Sequence, residues 1–312
     1  MDLTTSSDSP HSSVQRIEHS FKAMGGPCRL RLETNEGVDA TVAIAAATEE
    51  IQRLEHKYSR YLDSSLTSKI NRAAGTGTPV SIDDETAGLL NYANTAWRES
   101  DGLFDLTSGV LRRAWDFKSG RCPEQSEVAA LLPLVGWELV QWDINSVYLP
   151  RPRMELDFGG CVKEYAADSA AVQLRRHGVS SALVDLAGDM AAVGTPAGLE
   201  GWPVGIRHPE KKDAAIAQVW LPEGGLASSG DYERCLEIDN QRYSHILHPL
   251  TGWPTTQGLV AVTVMAQQCL VAGSSATIAM LKPLDEALQW LNELGLPWLA
   301  IDGELECHGS LR

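Results

Sequence analysis

The chain has 312 residues, 43% of them hydrophobic and 21% charged, which is enough apolar material for a large core. Its formal net charge of −15 argues against a nucleic-acid polymer as partner, though not against one nucleotide held in a local pocket. The stretch nearest to membrane-spanning length, Gly258–Gly273, is broken by Gln267 and Gln268, so no membrane insertion is expected.

Met1–Val14 is Ser/Thr-rich without an apolar run, and residues 1–15 are expected to be a disordered tail ahead of one domain over 16–312. The tail lacks the basic start and apolar stretch of a secretory signal, so a cytoplasmic protein is expected. Around Met24-Gly25-Gly26-Pro27, the apolar positions Ile17, Phe21, Leu30 and Leu32 predict two strands joined by a hairpin. From Asp39, residues Ile44, Ile51, Leu54 and Tyr58 recur at helical spacing. Ser59–Gly75 reads as polar and turn-rich. Asp83 or Asp84 caps a helix carrying Leu89, Leu90, Ala93 and Trp97, which stops near Asp101-Gly102. Leu103–Phe117 fits neither period.

Val147 and Leu149, then Leu156 and Phe158, predict a hairpin before Gly159-Gly160. A helix over Val162–His177 ends at Gly178, and Ala182–Leu186 is a buried strand ending at Ala187-Gly188-Asp189. Val204–Arg207, Ala217–Leu221 and the β-branched Leu259–Met265 are strands, and Leu236–Ile246 is a hairpin turning at Asp239-Asn240. Ser274 or Ser275 caps a helix toward Leu281. Asp285–Leu294 is a helix stopped by Gly295, and Trp298–Ile301 a final strand. The expected fold is a single α+β domain with antiparallel and mixed sheets and packed helices. The six cysteines form no C-x-x-C pair and are expected to be reduced, mostly buried thiols.

Five polar, glycine-marked segments interrupt this scaffold: Met24–Pro27, Ser100–Thr107, Asp157–Asp168, Leu186–Asp189 and Ser228–Gly252. Gly159-Gly160 either meets an anion with the N–H groups of the following helix or makes a tight strand-to-helix turn. His245 suits proton abstraction near neutral pH. A metal pair with His248 is disfavoured, because same-face ligands on an extended segment are two residues apart and these are three. Asp105, Asp157, Asp168 and Asp189 suit ribose contacts, metal binding or, as most lone acids in turns, caps.

In order along the chain, these segments resemble the FAD:protein FMN transferase (ApbE) family. Met24-Gly25 resembles its first flavin-contacting turn. Ser59-Arg60-Tyr61 with Ser65, Ser68 and Asn71 resembles its S-x-Y segment, and Gly102–Thr107 with Trp115 and Phe117 matches G-x-F-D-x-T and W-x-F. Asp157–Gly160, Lys163, Tyr165 and Asp168 resemble D-x-G-G-x-x-K-G-Y-x-x-D, Ser229–Tyr232 matches S-G-x-Y, and His245-Ile246, Pro249 and Thr251-Gly252 resemble H-I-x-D-P-x-T-G.

The resemblance implies transfer of FMN from FAD to a threonine of an acceptor protein, with release of AMP. It implies that Met24, Tyr61, Leu103, Phe104, Asp105, Asp157, Lys163 and Leu247 line FAD and that His245 helps deprotonate the threonine. It further implies magnesium at the diphosphate, held at the positions of Gly160, Gly273 and Thr277. This chain departs from the pattern where Gly273 replaces an Asp, His248 an Asp, Glu164 a Gly, and Ala187 the first Gly of G-G-D/E. Two other activities suit the same pocket: binding FAD without transfer, as a carrier or sensor, and FAD hydrolysis. All three require Phe104, Asp157, Lys163 and His245 to share one hollow.

Overall fold

The turn Met24-Gly25 closes a hairpin between β1 (Gln15–Ala23) and β2 (Gly26–Thr34). Both turn residues have positive φ, 53° and 75°, the backbone that a two-residue hairpin turn demands. β1 begins at Gln15, one residue before the expected domain start, because Gln15 still pairs with Thr34. The computed structural model describes residues 15–311 except 118–119, 212, 232–234, 239–240 and 256–257. Residues 1–14 of the expected tail and the expected turn at Asp239-Asn240 lie outside the described residues.

Helix α1 (Ala40–Tyr58) starts where Asp39 accepts from the N–H groups of Thr41 and Val42. A short helix, α2 (Leu66–Arg72), follows in the segment read as turn-rich; Ser65 caps it by accepting from Ser68 N–H. Its seven residues are too few to show a helical period. After β3 (Val80–Ser81), α3 (Asp84–Glu99) is capped by Asp83. The unassigned block 103–117 contains a 3₁₀ helix, Leu106–Arg113.

Helix α4 (Gln125–Leu131) leads to β4 (Gln141–Trp142) and β5 (Ser146–Tyr148), which form a small sheet with β3. The hairpin expected before Gly159 is therefore displaced: Val147 pairs with Trp142, not with the 156–158 segment. The backbone of Leu156 is instead bound by a side chain. Its N–H donates to Asn71 Oδ1 at 2.7 Å, and its carbonyl accepts from Asn71 Nδ2 at 3.0 Å.

Next come α5 (Val162–Arg176), β6 (Ser181–Leu186), β7 (Asp189–Val193), β8 (Trp202–Arg207), β9 (Ala215–Leu221), β10 (Gly224–Gly230), β11 (Cys235–Ile238) and β12 (Gln241–Ser244). The chain closes with β13 (Ala261–Ala266), α6 (Cys269–Met280), α7 (Leu284–Glu293), β14 (Trp298–Ile301) and β15 (Cys307–Gly309). Eight strands make one antiparallel sheet in the order β1-β2-β6-β7-β10-β13-β14-β15. Strand periodicity splits its residues between two cores. Ala182, Val184 and Leu186 face the main core beneath α5 and α6, whereas Leu183 and Ala192 face the β8–β9 hairpin and pack with Val204 and Val219. α1 packs on α5 as an outer layer. A third core gathers Val110, Leu111, Trp115, Val128 and Leu247.

The sequence reading missed β10 because its Gly-Gly-Leu-Ala-Ser-Ser-Gly run lacks bulky alternation. Its composition has a packing reason: a Cβ on Gly225 would lie 2.1 Å from Cys269 N, where α6 begins. Gly225→Ala is expected to destabilise the fold by about 3 kcal/mol through overpacking; a melting temperature equal to wild type would refute this. α6 also starts earlier than the expected caps Ser274 and Ser275, which lie buried within it. Its cap comes from another helix: Asp168 of α5 accepts from Cys269 N–H at 2.8 Å and Leu270 N–H at 3.0 Å.

Asp83 links α3 to α1 through Lys57 at 2.6 Å. Partial burial raises its pKa, but Lys57 and Thr86 outweigh this and hold it at about 2. A depressed folded-state pKa gives stability that is present above the unfolded value and lost as pH falls through about 2. Asp83→Ala should cost about 1 kcal/mol at neutral pH as a lost cap and remove this acid-dependent loss below pH 4, measurable by urea titration across that range.

All six cysteines are free; Cys28, Cys161 and Cys269 are buried, Cys122 and Cys235 half-buried, and Cys307 exposed. No described helix is long and apolar enough to cross a membrane.

Candidate active site

A single cleft opens where the 3₁₀ helix 106–113, the start of α5, the end of β10, the loop after β12 and α6 converge. Phe104, Asp157, Lys163 and His245 all line it. So do Leu103, Asp105, Leu247, Gly160 and Thr277. Met24, Tyr61 and Gly273 do not. Met24 is half-buried against the main core. Tyr61 is 77% exposed and lies under the Arg60 guanidinium, 4.9 Å from its ring centre.

Much of the motif chemistry builds the walls. Asp105 caps the 3₁₀ helix, accepting from Thr107 N–H at 2.7 Å and from its hydroxyl at 2.6 Å, and it also accepts from Trp137 N–H at 3.1 Å. Burial raises its pKa, against the lowering by those bonds. Its carboxylate is thus committed to the protein even though the residue lines the cleft. Trp115 donates its indole N–H to Gly252 O at 2.8 Å and meets Trp253 edge-on at 5.1 Å. The W-x-F and T-G motifs therefore brace the loop that carries His245. His248 is spent on the same loop: its Nδ1 accepts from Leu250 N–H at 3.2 Å, and burial lowers its pKa. That contact does the work of a turn-forming carboxylate.

His245 follows β12, with Nδ1 shielded from solvent. Asp157 accepts from Gly159 N–H at 2.9 Å and is clasped by Arg112 at 2.9 Å and Arg60 at 3.2 Å. Arg112 lines the cleft and was not singled out from the sequence. Nothing in a lone arginine on a short helix distinguishes it from a solvated surface residue. Tyr232, the last residue of the S-G-x-Y match, lies outside the described residues, while Ser229 and Gly230 line the cleft.

At the far end, Lys163 pairs with Asp189 at 2.7 Å. Glu164 lies beside that pair, and both carboxyls are almost fully buried, at 8% and 3% exposure. Burial first, then the Asp189 charge, raises the pKa of Glu164; burial also raises that of Asp189, against the pull of Lys163. Thr277 Oγ1 is 3.1 Å from Ser229 Oγ.

This end suits a hard divalent cation, which takes oxygen ligands. Carboxylate and hydroxyl side chains line it together, and Glu164 Oε2 is buried without an N–H or hydroxyl donor. Gly273 can offer no side-chain oxygen and lies beneath Glu164.

A profile of the ApbE family matches residues 24–299. A FAD:protein FMN transferase of Klebsiella pneumoniae is 31% identical over 257 residues, covering 81% of this chain and 78% of its own. One of Treponema pallidum is 29% identical over 305 residues, covering 90% and 82%. Among solved structures, the ApbE protein of Thermotoga maritima superposes with a TM-score of 0.86 at 27% identity, covering 95% of this chain and 97% of its own. The flavin transferase ApbE of Vibrio cholerae shares the fold, with a TM-score of 0.86 at 22% identity over 96% of this chain and 97% of its own. With four of the six ordered motifs contributing to one cleft and a profile match along most of its length, the chain belongs to the ApbE family.

Proposed function

We propose that this chain transfers FMN from FAD to a threonine hydroxyl of an acceptor protein and releases AMP. One observation carries the reading: His245, Lys163 and Gly160 share a cleft with Phe104 and Asp157. A base, a cationic anion cradle and an aromatic wall are what a flavin dinucleotide and an attacking alcohol require together.

In this reading the diphosphate lies against Lys163 and the N–H groups at the start of α5, where the helix dipole favours negative charge. Leu103, Phe104 and Leu247 offer apolar surface to the rest of the dinucleotide. His245 accepts the threonine proton as the hydroxyl oxygen forms its bond to the FMN phosphorus. The bond from that phosphorus to the bridging oxygen breaks, and AMP leaves with the bridging oxygen. Magnesium, when bound, would neutralise diphosphate charge, held at the end of the cleft where Gly160, Asp189 and Thr277 stand.

Incubation with FAD, magnesium and a threonine-bearing acceptor tests the reading. Equal amounts of AMP and covalently flavinylated acceptor are expected. Retention of intact FAD would instead indicate a carrier or sensor. AMP with free FMN in the absence of acceptor would indicate a hydrolase.

A further inference from the structure

We propose that Glu164 supplies the acidic side-chain ligand of a divalent cation in this cleft, reaching from α5 into the volume that a side chain at position 273 of α6 would otherwise fill; the inference rests on the flavin-transfer reading of the same site.

Three observations converge on it. Glu164 is 8% exposed, its buried Oε2 accepts no hydrogen bond from an N–H or hydroxyl group, and its carboxyl lies against that of Asp189. An unsatisfied buried carboxylate oxygen is costly unless something occupies it. A Cβ built on Gly273 would stand 2.5 Å from Glu164 Cγ and 2.8 Å from Oε1. Glu164 and any side chain at 273 therefore compete for one space. Glycine in the middle of a helix costs about 1 kcal/mol relative to alanine, and here it makes the room that Glu164 occupies.

The neighbours are the right kind. Thr277 lies one helical turn beyond Gly273, on the same face of α6, and lines the cleft with Asp189 and Gly160. Two carboxyls and one lysine ammonium meet here: Lys163 pairs with Asp189, and Glu164 is the acid left over. A divalent ion would accept Oε2 and balance the second carboxylate, whereas the lysine alone balances only one. Oxygen donors from two helices and a strand, lining one cleft, offer the mixed carboxylate, hydroxyl and carbonyl set that magnesium and manganese take.

The test measures manganese binding to the full chain from the loss of the free-ion EPR signal, with and without FAD, and magnesium as competitor. Wild type should bind manganese in competition with magnesium. Glu164→Gln, nearly isosteric, should weaken binding at least about tenfold, as loss of a ligating group does. Gly273→Asp alone should also weaken it, because its side chain collides with Glu164. The exchange Glu164→Gly/Gly273→Asp, which moves the carboxylate to α6, should restore binding to within about threefold of wild type. Unchanged manganese affinity in Glu164→Gln would overturn the inference. So would a folded exchange variant that binds no better than Gly273→Asp; this second comparison decides the matter if Glu164→Gln fails to fold. Absence of manganese binding in wild type, with or without FAD, also overturns it. FAD binding and AMP release, followed separately, report on the flavin reading: either can fail while the other stands.

Discussion

His245→Ala is expected to lower the rate of FMN transfer by about 10²–10⁴-fold, the usual worth of a positioned base, while leaving FAD affinity within about twofold of wild type. The histidine lines the cleft but is carried on a loop braced elsewhere, by Trp115 on Gly252 and by the His248–Leu250 contact. Truncating its ring should remove the proton acceptor without collapsing that loop. Initial rates of flavin incorporation into the acceptor, set beside FAD titration by fluorescence quenching, separate the two quantities. A transfer rate within about threefold of wild type would assign the proton to another group. Equal loss of FAD affinity and rate would make His245 a binding residue.

The second large effect is expected at Lys163. Its ammonium is the partner of Asp189 at 2.7 Å, and Glu164 lies beside the pair. Lys163→Met keeps much of the stem but leaves buried acid without its countercharge. Breaking such a pair from one side costs about 3 kcal/mol, and the diphosphate loses a charge-assisted contact, so FAD should bind at least about tenfold more weakly. Adding Asp189→Asn to Lys163→Met should recover most of the stability but not the FAD affinity, because it removes the stranded charge without replacing the cation. Urea unfolding of both single variants and the double variant gives the coupling. Additive losses would show that the two side chains do not depend on each other.

The elements legible in the sequence were those with a full period or a visible cap. α1, α3, α5 and α7 show helical recurrence, the 182–186 run is apolar except for Asp185 and the 298–301 run is apolar throughout, so their place in the core follows from composition. Elements held by partners far along the chain were not legible. β10 is a strand because β7 and β13 flank it, and it is glycine-rich because α6 presses on Gly225. α6 begins at Cys269 because Asp168, 101 residues earlier, satisfies its first N–H groups. The 156–158 segment does not join a hairpin because Asn71 binds both backbone groups of Leu156.

The candidate site divides in the same way. Ordered motifs brought Phe104, Asp157, Lys163 and His245 to notice, and they do share a cleft. The motif alone could not separate residues that face the cleft with free chemistry from those that build its wall. Asp105, Thr107, Asn71, Asp168 and Trp115 are bound into the scaffold by their own hydrogen bonds. Arg112 carries no signal in the sequence, and only the fold sets it against Asp157.

By itself, the amino-acid sequence determined the mixed α+β class, most element positions and the family, because local periodicity, caps and short motifs are properties of neighbouring residues. Tertiary structure alone decided which side chains meet across long separations. The pairing of Glu164 with the bare backbone of Gly273 is such a case. Read one at a time, each looks like a defect in a motif. Their meaning lies in the 2.5 Å between the Glu164 side chain and the space above Gly273, a distance set by how α5 packs on α6.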